Sequence, residues 1–420
     1  MRTPIQLRRR GSIAPLMAVA MIPILGFAAI AIDGGLQLDH KRRTQAAADA
    51  AALAAAVDLF RNYDTRHGLD PTGAAATSAK TTAAADGYTH NGTTTTVTVS
   101  IPPISGPFTG KSDYAEVTIL YKLSRGFSSI WGTDTLPIYS RAVARGSWKN
   151  VDVGVLLLDP SSSSALKATG NGSVTVLGAP IVVDSVAADG AVSSGGGTLV
   201  APEFDFAGTP GYSGSGFTGT IHSTSSPTSD PLINLPPPDI NSLTVQDTNG
   251  KHISGNGHYT LDPGVYYGGI DISSGANVTL NPGIYYMKNG GFKYSGNASS
   301  SLSGSGVFIY SDPSSNSDDI SITGQGTVNL SPPTSGTYAG VTLYQNRNAS
   351  NSVKISGGGM MTITGTFYAA GAQLQVSGSS GNNTIGSQYI SYQLSLSGSG
   401  NVTIDWYAAS ARVRTFGLVE

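Results

Sequence analysis

The chain has 420 residues, with 54 glycines, 22 prolines and no cysteine, so disulfides and thiolate metal sites are excluded. Charged residues make up 12% against a generous supply of Gly, Ser, Thr, Val, Ile and Tyr, which favours β-structure over disorder. Residues 1–150 carry 16 Lys/Arg against 10 Asp/Glu and residues 151–420 carry 8 against 16, so the long acidic part has nothing to neutralise a row of phosphates and no nucleic-acid partner is expected.

At roughly 100–200 residues per domain, the length implies two or three domains. Residues 1–12 form a basic tail ending in Arg8, Arg9 and Arg10. Residues 13–32 carry no charge. As a helix at about 1.5 Å per residue they span about 30 Å, the thickness of a hydrocarbon core. The arginines before the span place the N-terminus in the cytoplasm and the bulk outside it, in the periplasm or at the cell surface. Ala29-Ile30-Ala31 offers a small-x-small cleavage pattern, but the length of the span favours a retained anchor in inner-membrane lipid over a cleaved signal.

After Gly34-Gly35 an alanine-rich helix runs to about Phe60, with Ala46, Ala50, Leu53, Val57 and Phe60 as its apolar seam. A short helix follows from Ala74 and ends before the Asn91-Gly92 turn. Val97, Val99 and Ile101, then Ala115, Val117, Ile119 and Tyr121, alternate with polar residues as half-buried strands do. A turn at Phe127–Trp131 and a strand near Ile138–Ala144 complete a small α+β domain over 33–150, with Trp131 and Trp148 as core or edge residues.

The N-terminal pattern has a further reading. Arg10-Gly11, an apolar span, Asp33-x-Gly35, then Gln45-x-Ala47-Ala48-Asp49-Ala50-Ala51-Ala52-Leu53-Ala54 resembles the N-terminal segment of TadG-like proteins of tight-adherence (Flp) pilus assembly. The resemblance covers about 50 residues and implies other pilus components as partners. Related pseudopilins carry a glutamate five residues after the processing glycine, where this chain has Leu16. That departure argues against peptidase processing and for a permanently anchored accessory protein.

A first β region is expected over 151–204. An irregular Gly/Ser/Pro-rich excursion over 205–258 contains the stiff connector "LPPPD". From 259 to 420 the chain is repetitive. "LDPGVYY" at 261–267 returns as "LNPGIYY" at 280–286, with Asp/Asn-Pro-Gly supplying a type II corner. Between such corners lie apolar-polar-apolar triplets, among them "IDI", "VTL", "ISI", "VKI" and "LSL". Strands this short bury nothing alone, and stacking coil on coil gives them a common core. The expected fold is all-β after the N-terminal helices. A right-handed β-solenoid (parallel β-helix-like) is favoured, with a β-sandwich as the alternative. Val265 and Ile284 should then stack in neighbouring coils, and Tyr266, Tyr267, Tyr285 and Tyr286 should offer contact surface to a glycan or protein ligand.

Candidate chemistry is sparse. Asp159, Ser161 and Ser163 have the Asp-x-Ser-x-Ser spacing of a metal-ion-dependent adhesion site, but the Gly/Ser-rich β sequence downstream lacks the helices such a site needs, and a strand-to-turn transition is expected instead. Asp318-Asp319 has the look of an acidic glycosidase pair, yet adjacent strand residues point to opposite faces. No catalytic residue or cofactor is assigned. The expectation is a non-enzymatic, single-pass cell-envelope protein of pilus assembly or adhesion. The alternative is a solenoid polysaccharide lyase or hydrolase.

Overall fold

The computed structural model describes residues 13–420 except Thr133 and 379–381; the basic tail 1–12, including Gly11, and the side chains of Trp131 and Trp148 lie outside the described residues. The chain divides into two units. One runs up to Lys149 and takes in Arg414–Glu420; the other is Asn150–Val413.

The first unit opens with one unbroken helix, Ile13–Arg61, which passes straight through Gly34-Gly35. Its first half shows large apolar side chains on all sides, Leu16, Val19, Ile22, Phe27 and Ile30 among them. Its second half buries Ala47, Ala48, Ala51, Ala52, Ala55, Ala56 and Leu59. The predicted seam is displaced: Ala46 is exposed, and Ala50, Leu53, Val57 and Phe60 flank the buried stripe half-covered. The predicted seam carries the larger side chains Leu53, Val57 and Phe60, whereas the buried stripe is almost all alanine. Close approach made the choice, for the buried stripe meets Ala75, Ala79 and Ala83 of the Ala74–Ala85 helix. It also meets the sheet, where a Cβ on Gly146 would lie 2.0 Å from the Ala56 carbonyl oxygen. Only glycine lets strand and helix backbones come that near.

That sheet pairs Thr95–Ser100, Tyr114–Leu123 and Leu136–Asn150 antiparallel, with Val97 opposite Ile119 and Val117 opposite Ala142. Its last strand, Arg412–Leu418, comes from the far end of the chain. The sequence reading put those residues with the repeats; residues 414–420 lie instead in the first unit.

The second unit is a parallel β-solenoid. Through most of the unit each strand pairs with the strand three places along, so a coil has three faces; the offset drops to two where the long strands Thr366–Gly378 and Gln388–Gly398 each span two faces and at the end of the stack. The triplets behave as their pattern requires: Ile270/Ile272, Val278/Leu280, Ile320/Ile322 and Leu394/Leu396 all point into one continuous core. The parallel pairing rules out the sandwich. One expected register is corrected. Val265 pairs with Tyr286, and Ile284 pairs with Phe308, a two-residue shift from the sequence repeat. A shift of two keeps every side chain on its face, which is why it costs no burial. Gly264 and Gly283 do hold positive φ, 152° and 143°. Gly283 also sits against Pro263, which a Cβ would approach to 2.6 Å.

The coils are not stacked in chain order. The stack starts at 245–261 and rises through 388–405, the last coil made. It then continues into 155–177, the first coil made, and ends at 204–223. Chain entry and exit therefore meet in mid-stack: the Val151 N–H donates to the Ala411 carbonyl at 3.1 Å, and Trp406 Nε1 donates to the Val151 carbonyl at 2.8 Å. The segment 224–244 must travel back along the whole stack. The irregular excursion expected over 205–258 contains regular strands at both ends and a bound strap between them.

Candidate functional site

Three surfaces could carry function, and each follows from which residues the coil presents outward. The first is covered. Strands such as Val307–Asp312 are buried on both sides, Val307 and Ile309 inward, Phe308 and Tyr310 outward. Outward Tyr286, Tyr310, Tyr344 and Tyr368 stack from coil to coil at ring separations of 4.8, 5.6 and 4.5 Å. The strap lies over them. Arg347 donates to the carbonyls of Leu232 and Leu235, the latter at 2.8 Å, and through Nε to the Tyr368 hydroxyl at 2.7 Å. The Tyr368 hydroxyl donates to Asp230 at 2.6 Å, and that of Tyr344 to the Leu235 carbonyl at 3.2 Å. At the edge of this layer Asp312 takes Lys288 Nζ at 2.6 Å and Asn346 Nδ2 at 2.9 Å. Burial alone would raise its carboxyl; these donors hold it below the ordinary range.

This overturns the expected tyrosine contact surface. Tyr266 and Tyr285 point into the inner core, Tyr286 is buried beneath the strap layer, and Tyr267 is half-buried against that same layer. Burial pushes the Tyr266 and Tyr310 hydroxyls up to about 12. The signal was present in the sequence. "VFIY" and "VYY" are unbroken apolar runs, the mark of a strand covered on both faces, whereas "VTL" alternates.

The second face is charged and largely self-paired. His252, Asp271, Lys293, Ser321, Lys354 and Gln375 form one outward column. Asp319 reaches Lys293 at 3.6 Å and Lys354 at 3.4 Å. Its neighbour Asp318 turns away and accepts the Ser314 and Ser315 amides, each at 2.9 Å. The pair is thus split between an ion-pair ladder and a turn.

The third face is open and neutral. Thr260, Thr279, Ser303, Asn329, Thr362, Thr384, Thr403 and Thr175 stand in register, one per coil, about 4.7–4.9 Å apart. A second column runs Asn277, Ser301, Thr327, with Ser301 donating to Asn277 at 2.7 Å. Among the described residues of these strands the only acid or base besides His258 is Asp405, which caps the Trp406–Ala409 turn. The central threonine of "VTL", "MTI" and "VTI" was the available signal. Only the register shows that these residues make one array.

Asp159 is fully buried. Its Oδ1 accepts the Ser161 and Ser162 amides at 3.0 Å each, and its Oδ2 accepts Gln393 Nε2 at 2.6 Å. Burial would raise this carboxyl, and the donors pull it below its ordinary value. Ser163 donates to a different carboxylate, Asp189, at 2.7 Å.

In the first unit, the motif residue Asp33 also has a defined task. Its carboxylate accepts the amides of Phe127 at 3.1 Å and Ser128 at 2.8 Å, and the Ser128 hydroxyl as well. It fixes the Phe127–Trp131 turn against the helix where the exposed apolar half ends. Among the described residues, that helix is the one long and apolar enough to cross a membrane, with a mean hydropathy of 2.3 over its most apolar window.

Residues 11–58 match the family model described as "Tad: Putative Flp pilus-assembly TadE/G-like". This segment is TadE/G-like. The match takes in the span, Asp33 and most of the buried alanine stripe. No curated protein and no solved structure matches the chain.

Proposed function

We propose that the protein is a single-pass, non-enzymatic component of the cell envelope that serves tight-adherence pilus assembly or the adhesion that follows from it. One observation carries the reading: from Ile13 onward the TadE/G-like segment 11–58 is a single helix, bare and apolar in its first half and packed against a folded unit in its second. A helix exposing that much apolar surface is stable only where lipid covers it. Arg8, Arg9 and Arg10 before the span favour a cytoplasmic N-terminus and an extracytoplasmic solenoid. The neutral hydroxyl face is the contact surface we assign to a glycan or protein ligand, since the strap covers one face and Lys–Asp pairing occupies another.

Carbonate extraction, protease treatment of spheroplasts and deletion of the gene in the encoding bacterium test the parts separately. The protein should stay with membranes, its 150–413 unit should be cut from outside, and the deletion should lose Flp pili or adherence. A soluble mature chain beginning at Ile32 would remove the anchor. Protection of 150–413 would reverse the topology, and a deletion strain with normal pili and adherence would end the assignment to this process.

A further inference from the structure

The end of the stack holds a cluster that no sequence motif marks. Thr198–Phe206 and Phe217–Ser223 run parallel, with Asp205 opposite His222 and Glu203 opposite Thr220. Phe204 and Phe206 are fully buried, so the two-residue period turns Glu203 and Asp205 outward together. His222 joins them from the next strand: its Nδ1 lies 2.9 Å from Asp205 Oδ1. One donor atom from each of the three residues lies within 4.8 Å of the others.

The charges are uncompensated. Among the described residues Glu203 makes no ion pair, and the partner of Asp205 is His222 itself. Two carboxylates held this close repel each other, and His222 contacts only one of them. A divalent cation answers both. An imidazole with two carboxylates is a donor set that suits zinc, with water filling the open positions. The location gives such an ion work to do. Phe217–Ser223 ends the stack, where a coil lacks a neighbour on one side, and the strap departs immediately after it.

We propose that Glu203, Asp205 and His222 bind a divalent transition-metal ion, zinc by preference, which clips the last strand of the solenoid to the one beside it.

The full chain, solubilised in detergent and stripped with EDTA, is titrated with zinc chloride by calorimetry and followed by thermal unfolding and hydrogen exchange, with magnesium chloride as control. Wild type should bind zinc at a single site, melt higher, and gain amide protection over 217–228. Magnesium should do none of this. H222A and D205N should each abolish the zinc-dependent rise, and E203Q should weaken binding roughly tenfold or more. The side chains face solvent, so metal-free melting should be nearly unchanged; should H222A not fold, H222Q and the double variant E203Q/D205N give the same test. Absence of zinc binding by wild type, or an undiminished zinc-dependent shift in the folded variants, would overturn the site.

Discussion

On Val307–Asp312 the inward pair Val307 and Ile309 and the outward pair Phe308 and Tyr310 are equally dry, but they are kept dry in different ways. The inward residues are covered by the next coil's copy of themselves. The outward ones belong to a layer covered by Tyr338, stacked on Phe308 at 4.1 Å, and by a strap that repeats nothing and is pinned by side-chain hydrogen bonds to its backbone carbonyls. Repetition builds the inner core cooperatively. The outer layer depends on a few polar anchors, so the two should fail differently.

The largest effect is expected inside. Phe292→Ala removes a fully buried ring from the inner column and leaves a cavity, at a cost of about 3–5 kcal/mol. Each coil is held by its neighbours, so hydrogen-exchange protection should fall in Ile270–Ser274 and Ile320–Gly324 together. Loss confined to the mutated strand would contradict a shared core.

A smaller and more local effect is expected outside. Arg347→Lys keeps the charge but loses the planar fork that reaches two carbonyls and the Tyr368 hydroxyl. Leaving those acceptors poorly paired should cost about 1–3 kcal/mol. Amides over 228–243 should exchange faster while those of Val307–Asp312 stay protected. Equal loss in both would show that strap and coil are one cooperative layer, and the distinction between the two sides would fall.

The same distinction explains what could be read from the sequence. Inward residues such as Ile320 and Ile322 were legible because a period of two is a local pattern. The span was legible because length and absence of charge suffice. The strap was not, since its anchors join Asp230, Leu232 and Leu235 to residues more than a hundred positions away. Nor was the coil order: nothing local reports that 388–405 lies beside 155–177. The helix seam failed for a third reason: the larger Leu53, Val57 and Phe60 marked one stripe, but close backbone approach selected the alanine stripe beside it. In the candidate surfaces, chemistry was visible residue by residue and only register assembled it. The Thr column, and the grouping of Glu203 and Asp205 with His222, are products of pairing between coils.

The strap's first anchor gives the smallest and most directional expectation. Asp184 follows the Ile181–Val183 strand, is buried, and accepts the Thr228 amide at 2.9 Å as the strap begins. Burial pushes its carboxyl up, and the single amide only partly offsets this. A carboxyl whose folded pKa lies above its unfolded one binds its proton more tightly when folded. It therefore withholds stability at neutral pH and returns it as pH falls through the folded pKa. Asp184→Asn keeps an oxygen for Thr228 and never ionises. The variant should melt higher than wild type at pH 7, by no more than about 2 °C, and the difference should shrink as pH falls toward the ordinary carboxylate range. The polar anchors of the outer layer would then differ in kind, with Arg347 holding the strap and Asp184 tolerating it. A variant that melts lower at pH 7, or a gain that does not change with pH, would show that the ionised carboxylate is the better anchor and that the strap is fastened electrostatically from its first turn.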